Sequence, residues 1–401
     1  MRLSELLKLQ IKASAEGRFT LGLSELGEDF LASNNDLLAG TTFDWVDVSE
    51  GTMSMKLTRG VNSFGGVEAL PIASAGVLRV QTKNRLLDPY TSQYIKPKKA
   101  MRLVTEDGTI VFQGKVDNIQ VDYRSEQQEP IITFDIVDPI ADLQQASTKL
   151  NNKITSVNKT WNQRVTEIMA NSKKSGQVKQ IVGGGTIKHS AWADNYTVWE
   201  ALVLAQTTES GFIYFDRANK MWAYGKGAFT PGPSVLEFSN VNYDALGYKN
   251  IVVDANSDSV INEIQVSNAE IQSGNNVNEV LGPYRKNSSV NTYGAHVYNV
   301  NTNFYRGSTG TDNTQVQAWV NNILAKNATP QIIVKTIEWD AKKNVTAAAV
   351  TDIGDTISVE YQTEFMSIDR ELTVVGITHE IYADDDKWRV TYTLFEKGRF
   401  S

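Results

Sequence analysis

Three histidines, His189, His296 and His379, are the residues best placed by type for acid–base or metal chemistry near neutral pH. They stand far apart in the sequence, and none has a second histidine at a ligand spacing. Their carboxylate neighbours, Asp194 and Glu380, complete no motif, so they read as ordinary loop or strand histidines. The chain has no cysteine, which excludes disulfides, thiolate metal sites and a cysteine nucleophile. No Gly-x-Ser-x-Gly elbow is present. Gly183-Gly184-Gly185-Thr186-Ile187-Lys188 lacks the Gly-Lys-Ser/Thr ending of a phosphate loop and reads as a flexible loop. Asp384-Asp385-Asp386 falls where a hairpin turn belongs and lacks the ligand spacing of a calcium loop. Carboxylates are plentiful, but nothing singles out two of them as a glycosidase pair. The expectation is a chain that is not an enzyme and carries no metal or cofactor.

Binding offers two candidates. Lys96, Lys98 and Lys99 form a basic cluster at a strand entry, without the interleaved aromatics of a single-strand binder. It reads as a solvated face, or as a subunit or surface contact. The Asn- and Tyr-rich stretch holding Tyr284, Tyr293, Tyr298 and Tyr305 has a paratope-like composition. It either touches a partner or packs as a surface loop. A net charge of −7 argues against a general nucleic-acid binder. It suits a surface that nucleic acid slides past.

These residues need a scaffold. With 401 residues the prior is about two to four domains. A hydrophobic share of 41% and a charged share of 21% describe an ordinary soluble globular chain. No run of about 18 apolar residues is present, so no membrane span is expected. The charged N-terminus lacks the apolar stretch of a signal peptide. Leu3, Leu6, Leu7 and Ile11 favour a short helix ending near Gly17, although Leu7, Leu9 and Ile11 would also suit a strand. Phe19 to Leu23 alternates as a strand, and Asn34-Asn35-Asp36 is turn chemistry. From Thr42 to Pro139 short alternating runs follow at even spacing, the pattern of a small antiparallel barrel. Asp107-Gly108 marks a hairpin.

Residues 1–147 are therefore read as an N-terminal helix and first barrel. Residues 148–235 are read as a small α+β domain. Its helices carry Trp161, Val165, Ile168 and Met169, then Val198, Trp199, Leu202 and Val203, and a hairpin follows from Phe212 to Tyr224. Residues 236–401 are read as a second barrel, with a long excursion over 270–313 and a helix over about 313–326 capped by Asp312 or Asn313.

The second barrel echoes the first. Residues 100–104, 110–119 and 131–137 find counterparts in 355–359, 372–381 and 388–394. In each copy the middle strand has a glycine at its fifth position, Gly114 and Gly376, the candidate bend points of a barrel. The alternative is that any two β-meanders look alike.

The succession of motifs resembles the minor tail proteins of long-tailed bacteriophages. It is carried by Asp44-Trp45-Val46-Asp47-Val48, Thr58-Arg59-Gly60, Asp88-Pro89-Tyr90, Ile95-Lys96-Pro97 and Phe112-Gln113-Gly114-Lys115-Val116. It continues in Val198 to Leu202, Gly211 to Asp216, Val260 to Val266 and Ile353 to Val359. The resemblance implies a baseplate or tail-tip hub in the virion, assembled in the bacterial host cytoplasm. The implied fold is mainly β with a smaller α+β part: two similar small antiparallel β-barrels separated by a helix-hairpin domain. It further implies a homotrimer of six similar units, which joins the distal tail ring protein to the tip. The tape-measure protein and other tail-tip proteins are the further partners implied. DNA would pass through without specific binding. The extra C-terminal modules of some hubs are not expected here. The competing readings are a hexameric distal tail ring protein and a glycan-binding or glycan-cleaving tail enzyme.

Overall fold

The computed structural model describes residues 3–12, 45–61, 71, 75–81, 96–123, 129–147, 156–183, 186–191, 196–255, 260–272 and 275–397. Readings that fall on the strand at Phe19 to Leu23, on Asn34-Asn35-Asp36 and on Asp88-Pro89-Tyr90 lie outside the described residues.

The first β unit comprises α1 (Leu3–Leu6), β1 (Leu7–Lys12), β2 (Trp45–Asp47), β3 (Thr52–Gly60), β4 (Ala75–Gln81), β5 (Ala100–Thr105), β6 (Ile110–Asp122) and β7 (Ile131–Val137). A helix-hairpin region follows: α2 (Pro139–Gln145), α3 (Trp161–Asn171), β8 (Val178–Val182), α4 (Val198–Glu209), β9 (Phe212–Phe215) and β10 (Met221–Tyr224). Next come β11 (Ser234–Ser239) and β12 (Asn250–Ala255), then β13 (Glu263–Gln272), β14 (Asn275–Arg285), α5 (Asn287–Tyr293), β15 (Val297–Thr302) and α6 (Thr314–Asn327). The chain ends with β16 (Ile332–Asp340), α7 (Val345–Val350), β17 (Thr356–Gln362), β18 (Ser367–Tyr382) and β19 (Lys387–Glu396). The protein is mainly β, with several antiparallel sheets. No described helix is long and apolar enough to cross a membrane.

The N-terminal helix is shorter than its leucine spacing suggests. One turn, α1, gives way to a strand in which Leu7, Leu9 and Ile11 are buried and their neighbours half-buried. That period of two prevails because β5 lies alongside and pairs from Leu7–Thr105 to Ile11–Met101. Tertiary pairing decides an ambiguous short apolar run.

Thirteen strands form one hydrogen-bonded sheet, ordered β12-β16-β19-β18-β3-β4-β7-β6-β5-β1-β2, with β17 beside β18 and β11 beside β17. The two ends of the chain therefore meet: β3 pairs antiparallel with β18, Gly60 opposite Gly376 and Ser54 opposite Tyr382. One apolar core serves both halves, from Leu57, Leu78 and Phe134 to Ile357, Ile377 and Tyr392.

The meanders β5-β6-β7 and β17-β18-β19 share a ladder. In the first, Lys115 pairs with Ala100 and Val116 with Ile136; Asp117 is then skipped, and Asn118 pairs with Asp135. In the second, Thr373 pairs with Thr356 and Val374 with Leu394; Val375 is skipped, and Gly376 pairs with Thr393. The bulges thus match Asn118 with Gly376 and Gly114 with Leu372. Matching Gly114 to Gly376, as the sequence suggests, puts the middle strand four residues out of register. The glycines mislead because each answers its own neighbour. A Cβ on Gly114 would lie 2.5 Å from Ile136 Cγ2, and one on Gly376 would lie 2.1 Å from the Val61 carbonyl oxygen.

Two further cores lie away from the large sheet. α2, α3, α4, β9 and β10 bury Leu143, Trp161, Ile168, Leu202, Ile213 and Met221 together. Thr197 caps α4 through a reciprocal capping box with Glu200, which starts the helix where its apolar run begins. The stretch read as a loop excursion is instead folded. β13 pairs antiparallel with β14 and parallel with β15, and α6 packs Val316, Trp319, Val320 and Ile323 onto them. Its polar composition hid the strands, as in β15, where the exposed Asn299 and Asn301 alternate with the buried Val300 and Thr302.

Candidate functional site

Among the described residues no cluster of three or more His, Asp or Glu could hold a metal ion. Among the buried charges and imidazoles, three polar junctions tie elements together.

The first joins the two β units to the helix-hairpin region. On β3, Met55, Leu57 and Arg59 share the inward face, so a cation points where apolar residues belong. Arg59, 3% exposed, donates from Nη1 to Asp352 Oδ1 at 2.8 Å. Asp352 Oδ2 accepts from the Arg217 backbone N–H at 2.9 Å, and Arg217 Nη1 donates to the Ala349 carbonyl at 2.8 Å. Asp355 closes the loop by accepting from the Asp352 N–H at 2.7 Å, and burial pushes its carboxyl above the usual range.

Close to Arg59 lies His379 of β18, fully buried. Trp388 Nε1 donates to its Nδ1 at 3.3 Å. Burial, aided by the Arg59 charge, pushes its pKa down to about 3. Unfolded, the imidazole takes a proton below about pH 6.5, whereas the folded one stays neutral to about pH 3. Stability is therefore lost as pH falls from 6.5 towards 3, by up to about 1.4 kcal/mol per pH unit. Urea titrations at pH 7 and pH 5 are expected to show His379→Phe losing about 1–2 kcal/mol less than the parent chain between those pH values. Equal losses would show that His379 is not the group responsible.

At the second junction, His189 and Glu209 are both fully buried, with Nε2 3.1 Å from Oε2. His189 Nδ1 lies 3.3 Å from Asn303 Oδ1, which also accepts from Thr208 Oγ1 at 2.7 Å. This links α4 to the strand sheet β13–β15. The third junction centres on Arg306, 1% exposed. It donates from Nε to Glu270 at 2.8 Å, from Nη2 to Glu279 at 2.6 Å and from Nη1 to Asn313 Oδ1 at 2.9 Å. Asn313 is the residue preceding α6, while Asp312 accepts from the Thr314 N–H at 3.0 Å. None of these junction roles is marked by a sequence motif. The one available signal is a charged residue in phase with buried neighbours, as at Arg59.

The residues singled out by sequence do not converge. Lys96 and Lys98 are exposed and Lys99 half-buried; Lys98 pairs with Asp117 at 3.0 Å. Tyr284 and Tyr298 are half-buried against the third core, Tyr293 is exposed, and Tyr305 is half-buried. Of the histidines, only His296 reaches the surface. Asp386 of the aspartate run accepts from the Leu3 backbone N–H at 2.9 Å and pairs with Lys342. The most exposed large apolar side chains among the described residues lie elsewhere: Tyr243, Phe365 and Ile332.

Solved structures share this many-stranded β fold. The chain is similar to a tail protein from Neisseria meningitidis MC58, with a TM-score of 0.59 and 11% identity over 89% of this chain and 95% of that one. It is similar also to the 43 kDa tail protein of prophage MuSo2 from Shewanella oneidensis, with a TM-score of 0.54 and 14% identity over 99% and 98% of the two chains. No family model and no curated protein sequence matches. At such identities the likeness is one of fold, and it runs over nearly the full length of each chain.

Proposed function

We propose that the chain is a structural subunit of a phage tail tip, a hub that joins the distal tail ring to the tip and lines the channel. In this reading it assembles as a homotrimer in the host cytoplasm and contacts the distal tail, tape-measure and other tip proteins. DNA passes its negatively charged surface without specific binding, and the chain does no covalent chemistry.

The observation that carries the reading is topological. In the first unit the strand run begins at β3 and ends at β2, yet only Val48–Gly51 separate these two strands in the chain. Five residue steps reach roughly 18 Å. A flat run of seven strands would set its ends about 29 Å apart. The sheet must therefore roll, which supports a small barrel. In the second unit the run likewise ends on consecutive strands, β11 and β12. A rolled first unit beside a second unit of shared ladder register suits a ring of three chains and six units.

The test is a reconstruction of the assembled tail with this chain labelled. Three copies around the axis at the tip are expected. Six copies would make it the distal ring protein instead, and absence from the particle would overturn the reading altogether.

A further inference from the structure

The net charge of −7 conceals a division. Residues 148–235, the helix-hairpin region, hold 11 Lys and Arg against 5 Asp and Glu, a balance of +6. That leaves 28 against 41, or −13, for the rest of the chain. Four of the region's five acids are engaged inside it. Glu209 is fully buried against His189. Glu167, the one acid of α3, accepts from buried Arg164 at 2.9 Å and from Ser156 Oγ. Glu200 accepts from the Thr197 N–H in its capping box, and Asp216 accepts from Trp222 Nε1 and from its own turn. Asp194 lies outside the described residues.

The lysines gather where these acids are not. α3 ends at Asn171, and the chain turns at Lys173, φ +57°, through Lys174 and Ser175–Gln177 into the edge strand β8. Lys173 and Lys179 are exposed and Lys174 is half-buried; none of the three pairs with a carboxylate among the described residues. A fourth amine joins them, because exposed Lys220, at the β9–β10 turn, donates from Nζ to the Gly176 carbonyl at 2.9 Å.

The surface leading to this tip is polar and uncharged. Asn162, Gln163, Thr166 and Ala170, three or four residues apart, form the exposed face of α3. Gln180 is exposed on β8, and a Cβ on Gly183 would stand 3.4 Å from Asn162 Nδ2, so the strand's end lies beside the helix's start. The eleven residues of α3 make this face about 16 Å long. Amines joined by amide and hydroxyl donors are the side-chain set that holds phosphate oxygens. No aromatic side chain stands among them, so bases have nothing to stack on.

We infer that α3, the Lys173–Lys179 turn and the edge of β8 form a face that takes the phosphate backbone of duplex DNA, whatever its sequence. The positive face stands on the charges above; that its polyanion is DNA rests on the channel reading. Phosphates of one strand follow each other by about 3.4 Å along the duplex, so the face spans about five of them. Elsewhere the chain carries the opposite charge and repels the backbone. The duplex is thus touched on one region and kept off the others, and salt releases it.

The test titrates the full-length protein with short fluorescent duplexes of two unrelated sequences. Both are expected to bind equally, with affinity falling about 150-fold from about 50 to about 200 mM salt, the slope of four neutralised phosphates. Lys173→Gln/Lys174→Gln/Lys179→Gln is expected to make that logarithmic slope shallower by about 2.7. Lys96→Gln/Lys98→Gln/Lys99→Gln removes as much charge from the first unit and is expected to leave affinity and slope unchanged. Equal loss from the two triple variants, or loss from neither, overturns the face. Poly-glutamate held as tightly as the duplex, and lost in the Lys173/Lys174/Lys179 variant, assigns the face to an acidic protein and overturns the DNA contact. Phage particles that lack the chain, with the lysine-dependent slope intact, remove the hub reading and keep the face. Particles that carry the chain at the tip, with no lysine-dependent DNA binding, keep the hub reading and overturn the face.

Discussion

Gly376→Ala is expected to lower stability by about 3 kcal/mol or more, the upper range for forcing extra volume into a packed site. The added methyl would stand 2.1 Å from the Val61 carbonyl oxygen, 3.0 Å from its carbonyl carbon and 3.1 Å from its nitrogen. All three are backbone atoms, so no side chain can rotate away. The partner residue is as constrained: Gly60 has φ +76°, and its own Cβ would fall 2.3 Å from the Val375 oxygen. Two glycines therefore bring β3 and β18 together where the halves of the protein join. Gly108→Ala is the comparison. It also sits at positive φ but has no atom within 4 Å of an added Cβ. It is expected to cost only about 1 kcal/mol, the left-handed penalty alone. Urea midpoints at constant slope measure both. A Gly376→Ala cost no greater than that of Gly108→Ala would show that the joint is not tightly packed.

Arg306→Met is expected to cost about 3–5 kcal/mol, because it strands a buried carboxylate. Glu270 is fully buried and Glu279 half-exposed, so the loss falls mainly on Glu270. The double variant Arg306→Met/Glu270→Leu removes the stranded charge with its partner and is expected to recover at least about 1 kcal/mol of that cost. If the double variant is as damaged as the sum of the singles, packing rather than charge explains Arg306. The expected consequence is local: β13, β14 and the start of α6 lose their common anchor, while the large sheet keeps its own core.

Much of this architecture was legible in the sequence wherever apolar period and turn chemistry agree. The hairpin at Asp107-Gly108 and the helices around Trp161, Val198 and Trp319 fall where their spacing puts them. Four things were hidden for physical reasons. Leu7-Leu9-Ile11 is too short to choose between helix and strand until β5 is beside it. The ladder register of the two meanders lies in bulges at Asp117 and Val375, and a bulge is a backbone event with no fixed residue type. The strands β14 and β15 alternate polar and apolar residues so gently that composition reads as an excursion. The junction residues Arg59, Arg306 and His189 find partners 293, 36 and 20 residues away, distances at which spacing carries no signal. The surface candidates fared differently. Lysines and tyrosines attract notice by type, whereas the exposed turn at Phe365 is conspicuous only once its exposure is known.

The pairing of β3 with β18 also sets a timetable for synthesis. Lys56 and Glu380, an ion pair across that ladder, are 324 residues apart. At about 5–20 residues per second, the ribosome delivers the second strand on the order of tens of seconds after the first. Throughout that interval the first unit stands in the cell with the edge of β3 open, a template for any strand that arrives sooner. On a polysome making many copies, the nearest such strand belongs to a neighbouring nascent chain. Heavy overproduction therefore favours exchanged partners over the native joint, and slower translation favours each chain finding its own end.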